Sequence, residues 1–81
     1  MESKSEIIKR YVLEELLPGE DPTKLTEQTS LRTSGVLDSI ATLSLVSFLE
    51  KTFGIEIYAH EVDIDNFENI SLIVRLVEKK L

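Results

Sequence analysis

Gly35-Val36-Leu37-Asp38-Ser39-Ile40 reads as the end of a loop and the start of a helix. Asp38 is a good N-cap, because its carboxylate can accept the backbone N–H groups that a first helical turn leaves unpaired. Ser39 then takes the first helical position, with its hydroxyl directed to solvent. Gly35 can adopt a positive φ and so permits a sharp turn into the cap. A phosphate attached to Ser39 would sit near the positive end of the helix and its free N–H groups. Alone, an Asp-Ser pair of this kind is only a capped helix start.

The helix that begins there runs to about Phe53 and stops at Gly54, which suits a left-handed C-cap. At about 100° per residue, Thr42, Leu45, Val46, Leu49 and Phe53 form one wide stripe, the expected core face. The opposite side carries Ser44, Ser47 and Lys51, with Ile40 and Leu43 beside them. Two apolar residues on a small-polar face next to Ser39 read either as a docking patch or as a contact under the long loop or a neighbouring helix.

Upstream, Ser5-Glu6 opens a first helix in which Ile7, Ile8, Tyr11, Val12 and Leu16 share a face, and Leu17-Pro18-Gly19 ends it. From Pro18 to Leu37 no period is sustained. A connection of that length in so small a chain points to function, and Leu25, Leu31, Val36 and Leu37 are its expected anchors in the core. Downstream, Ile55-Glu56-Ile57-Tyr58 alternates without a partner strand and is expected to be an extended link that buries Ile55 and Ile57. A short helical turn follows around Ala59 to Val62. Asn69 or Ser71 caps a last helix, with Ile70, Ile73, Val74, Val77 and Leu81 inward and Arg75, Lys79 and Lys80 outward. Phe48, Phe53 and Phe67 are available to fill the interior, Phe48 alternatively at a helix border. The expected fold is all-α: a small bundle of three main helices and one short one, with a long loop between the first and second helices.

The chain has 81 residues, a length for one domain (1–81) with a modest core. With 42% hydrophobic and 30% charged residues it has the composition of an ordinary globular domain rather than a disordered tail. Its net charge of −6 argues against binding nucleic acid and favours a partner with a basic surface. Glu56, Glu61, Asp63, Asp65 and Glu68, uninterrupted by Lys or Arg, are the obvious attractor. Cysteine is absent, so any thiol chemistry has to come from a cofactor. No apolar run is long enough to span a membrane, and the Met1 start lacks a signal-peptide core, so the expected location is cytoplasmic.

Enzymatic readings are poor. A Ser-His-Asp triad would need His60, the single histidine, beside Ser39, and the two lie on different elements. Asp63, Asp65 and Glu68 lack the glycine and the closing glutamate of a calcium loop. No catalytic residue and no metal site is expected.

Leu31-x-x-x-Gly35-x-Leu37-Asp38-Ser39-Ile40, followed by a helix ending in Phe53-Gly54-Ile55-Glu56-Ile57, resembles the phosphopantetheine-attachment region of acyl carrier proteins, and the likeness extends over nearly the whole chain. The resemblance implies that Ser39 takes 4′-phosphopantetheine from coenzyme A. Asp38 would cap the helix and help a phosphopantetheinyl transferase to recognise the site, and Ile40 would be the apolar residue that partner enzymes contact. The thiol that the chain lacks would arrive with the arm, and a tethered acyl or aminoacyl thioester would have a raised effective concentration at each partner.

Two features depart from carriers of fatty-acid synthesis. Positions that are typically acidic in their central helix read Ala41, Ser44 and Lys51, with Glu50 retained, and the Gly-x-Leu-Asp-Ser spacing is nearer to D-alanyl and other free-standing carriers. The expectation is a free-standing, monomeric carrier of a specialised pathway, loaded by an acyl- or aminoacyl-loading ligase or synthase and unloaded by a downstream transferase. Ile40, Leu43, Ser44, Ser47 and Glu61 are its expected partner face. The alternative is an unmodified helical interaction module that kept the fold.

Overall fold

A computed structural model describes residues 3–16, 25–31 and 38–81, with Ile64 described by its backbone alone. Helix α1 spans Lys4–Tyr11 and continues into a π-helical turn over Val12–Leu16. Its cap is Ser3, whose hydroxyl accepts the Glu6 N–H at 3.2 Å. Helix α2 spans Ser39–Phe53, α3 spans Ile64–Phe67 and α4 spans Ile70–Lys80, with a 3-10 turn at Ala59–Glu61. Among the described residues there is no strand, and the all-α reading holds. The stop at Leu17-Pro18-Gly19, the turn at Gly35 and the anchors Val36 and Leu37 lie outside the described residues.

The boundaries at Gly54, Asn69 and Asp63 have local causes. Gly54 ends α2 in the left-handed region, φ 65° and ψ 37°, which an L side chain rarely adopts. Asn69, the first of the two expected caps, starts α4, its side chain accepting the Leu72 N–H at 2.9 Å. Helix α3 was not expected: Asp63, read as one of a solvated acidic run, is its N-cap and accepts the Asn66 N–H at 3.0 Å.

The core gathers Ile8 and Val12 from α1, Leu45 and Leu49 from α2, Phe67 from α3, and Ile70, Ile73, Leu76 and Val77 from α4. Leu25 and Leu31 drop into it from the long connection, and Ile57 from the link after α2. No polar or charged residue is buried among the described residues. Tyr11 and Phe48 stack at 4.1 Å between α1 and α2, which puts Phe48 at the border rather than in the interior. Several expectations are corrected. The buried line of α2 is Ala41, Leu45 and Leu49, with Thr42, Val46 and Phe53 only half-buried. Val46, Phe53 and Ile55, half-buried, still pack against the core. In α4, Leu76 is buried, and Leu81, expected inward, is 64% exposed because it lies past the last turn of the helix.

The connection over 25–31 is pinned to the corner between α3 and α4. The Leu31 N–H donates to Glu68 O at 2.8 Å and the Ser71 N–H to Glu27 O at 3.1 Å. The Ser30 hydroxyl also donates to the Glu68 carboxylate. The backbone of α4 runs close to α1 and α3, whereas α2 reaches the core through its side chains. A groove runs along one flank of α2.

Candidate functional site

Asp38 lies in extended conformation, φ −90° and ψ −174°, directly before the first residue of α2. Its carboxylate accepts the Ala41 N–H at 2.7 Å. Its carbonyl accepts the Thr42 N–H at 2.9 Å and the Thr42 hydroxyl at 2.7 Å. These bonds fix the direction in which the chain enters the helix and therefore where the next side chain stands. That side chain is Ser39, exposed at the first position of a 15-residue helix. An anion on its hydroxyl would meet the positive end of the helix dipole.

Beside Ser39 runs a groove of about 500 Å³, lined by Asp38, Ser39, Thr42 and Leu43 on α2 and by Val62, Asp63 and Phe67 opposite. The outer face of α2 continues from its rim. Ile40 is 77% and Leu43 67% exposed, and Ser44 and Ser47 are exposed with them. Both large apolar side chains are exposed, so no described helix covers them; the long loop named in the second reading lies largely outside the described residues.

Glu61 is placed differently from these residues. Its carboxylate accepts the Tyr58 N–H at 2.9 Å and pairs with Lys80 Nζ at 2.6 Å, and its side chain is only 20% exposed. The hydrogen bond from Lys80, then the Tyr58 N–H, and the charges of Lys80 and His60 hold the carboxyl below its ordinary value of 4.5, against a smaller opposing effect of burial. The acidic run is therefore largely occupied: Asp63 caps α3, Glu68 receives Ser30, and Glu61 pairs with Lys80. Lys80, expected to face outward, turns back instead. Glu50 is also engaged, accepting the Ile57 N–H at 2.9 Å and fastening the link to α2. His60 is exposed and stacks on Tyr58 at 6.0 Å. Among the described residues no group of His, Cys, Asp or Glu is arranged to hold a metal ion.

The phosphopantetheine attachment site family matches residues 7–77. The chain belongs to that family. Its members carry 4′-phosphopantetheine and are carrier domains rather than catalysts, working with enzymes that modify and use them. The residues present suit such a group: an exposed hydroxyl at a helix start, with Leu43, Val62 and Phe67 offering apolar wall in the groove beside it. Among solved structures, one titled "Crystal structure of FAD-dependent dehydrogenase" is similar at TM-score 0.81 and 27% identity, over 86% of this chain and 97% of that one. The matched chain is thus about as short as the carrier itself. No curated protein matches. Among the described residues, no helix is long and apolar enough to cross a membrane.

Sequence reading missed Thr42, Val62 and Asp63 as lining residues of the groove. Thr42 had a usable signal, since a residue three positions after Ser39 lies on the same side of the helix. Val62 and Asp63 had none, because they arrive through tertiary structure from a segment more than twenty positions away.

Proposed function

We propose that the chain, acting as one monomeric domain, holds an acyl or aminoacyl group as a thioester on 4′-phosphopantetheine attached to Ser39, and delivers it to partner enzymes of a specialised pathway. The observation that carries this reading is an exposed serine fixed at the first position of α2 by the Asp38 cap, in a chain of the attachment-site family. When bound, the group supplies the thiol that the cysteine-free sequence lacks. Asp38 aims the Ser39 hydroxyl and presents a carboxylate beside it to a phosphopantetheinyl transferase. Ile40, Leu43, Ser44 and Ser47 form the surface that the transferase, a loading ligase or synthase and a downstream transferase share. Apolar anchors amid small polar residues suit successive, short-lived docking. Glu61, the remaining member of the expected partner face, has its carboxylate already paired with Lys80.

The likeness to the solved chain titled as a FAD-dependent dehydrogenase supports one further partner, a flavin-dependent dehydrogenase acting on the carried group. The deciding experiment is intact mass after incubation with coenzyme A, magnesium and a broad-specificity phosphopantetheinyl transferase. The parent is expected to gain one phosphopantetheine and Ser39→Ala none. A folded parent that gains nothing from several transferases would instead support an unmodified interaction module.

A further inference from the structure

Glu61 is a hub where three elements meet. Its carboxylate holds the Tyr58 N–H at 2.9 Å and Lys80 Nζ at 2.6 Å, and its carbonyl accepts Asn66 Nδ2 of α3 at 2.9 Å. Its own N–H donates to Tyr58 O at 2.9 Å. Lys80 is the last residue of α4, and its ammonium also stands 4.7 Å from the centre of the Tyr58 ring, within cation–π range.

The pair is more shielded than an ordinary surface pair. Its side chains are 15% and 20% exposed, against 35% and 57% for Lys4 and Glu78, which stand 3.8 Å apart. Ion pairs exposed like the second contribute little. One cation here serves a carboxylate and a ring together, and that carboxylate also caps a backbone turn. The next two residues along the chain, Val62 and Asp63, are wall residues of the Ser39 groove.

We infer that Glu61, Lys80 and Tyr58 form a latch that ties the end of α4 to the 59–63 turn and so sets the far wall of the groove beside Ser39. These are positioning residues. They act on Ser39 only through Val62 and Asp63, and their consequence for modification rests on the Ser39 reading above. With the latch closed, a transferase meets a groove of fixed width; with it open, the wall samples several positions and productive docking becomes rarer.

The test uses the full chain as Lys80→Met, Lys80→Arg and Lys79→Met. Lys79→Met removes the same charge from an exposed neighbour, and arginine preserves both the ion pair and the ring contact. Amide exchange at Tyr58, Glu61 and Val62 is expected to quicken roughly five- to tenfold in Lys80→Met, with α1 and α2 unchanged. It should stay at the parent rate in the other two variants. For Ser39 modification, the KM of Lys80→Met should rise several-fold while kcat stays within about twofold. Unchanged exchange in Lys80→Met overturns the latch. So does acceleration spread evenly over all helices, or a KM shift that Lys79→Met reproduces. The exchange readout needs no modification, so a parent that is never modified sinks the Ser39 reading and leaves the latch to be judged on exchange alone.

Discussion

Helices α2 and α4 are both rich in Leu, Ile and Val, and they spend those side chains differently. In α4, Ile70, Ile73, Leu76 and Val77 are buried, and the exposed positions are charged. In α2 only Ala41, Leu45 and Leu49 are buried, while Ile40 and Leu43 stand in solvent on the far side. A helix that is apolar on two sides has one face more than its own fold requires. In α4 the pattern is explained by the fold. In α2 it leaves Ile40 and Leu43 over, and that surplus begins next to Ser39.

The sharpest break between the two helices should come from truncation. Ile73→Ala, at a fully buried position, is expected to cost about 2–5 kcal/mol in urea unfolding. Leu43→Ala should change stability by less than about 0.5 kcal/mol, as exposed substitutions usually do. If Leu43→Ala were as costly as Ile73→Ala, the outer face of α2 would be structural and the comparison would fail. A second measurement asks what the spare face is for. Leu43→Glu should leave the unfolding midpoint in place yet lower kcat/KM for phosphopantetheine transfer roughly tenfold, the scale of one interface anchor. An unimpaired transfer rate would remove Leu43 from the docking surface.

The smallest effect concerns acid. Because the folded carboxyl of Glu61 titrates below its ordinary 4.5, its contribution is complete above that value. It is lost as pH falls through the lowered folded value. The groups facing it are Lys80, the Tyr58 N–H and His60. Melting curves across the acid range should therefore show a component that disappears in Lys80→Met and persists in Lys79→Met.

Local chemistry was legible where it is confined to neighbouring residues. Asp38, Gly54 and Asn69 terminate helices through atoms within a few positions of themselves, so spacing located both ends of α2 and narrowed the start of α4 to Asn69 or Ser71. Ser39 followed from Asp38. Leu25 and Leu31 were legible as lone apolar residues in a polar connection. Wherever the outcome depended on residues distant in the chain, the reading was incomplete. Glu68 looked like solvated acid because Ser30, 38 residues away, is not encoded nearby, whereas Asp63 was missed although its cap bond to Asn66 is local, because α3 is a four-residue turn too short to show a period. Lys80 looked outward for the same reason, since its partners Glu61 and Tyr58 are tertiary neighbours. Periodicity found the core face of α2 but misjudged its axis, because Ala41 is too small to stand out beside Thr42 and Phe53.

The bonds that fasten residues 25–31 to the corner after α3 bear on how the chain folds. Helices α1, α2 and α4 can start from contacts within a turn or two. Ser30 and Glu68, in contrast, are 38 residues apart, and closing a loop of that span costs about 3 kcal/mol of chain entropy beyond a constant. That closure is rewarded only once the corner between α3 and α4 exists to receive it. The segment should therefore be among the last to settle, with Leu31 showing a φ-value near zero, so that Leu31→Ala hastens unfolding while barely slowing folding.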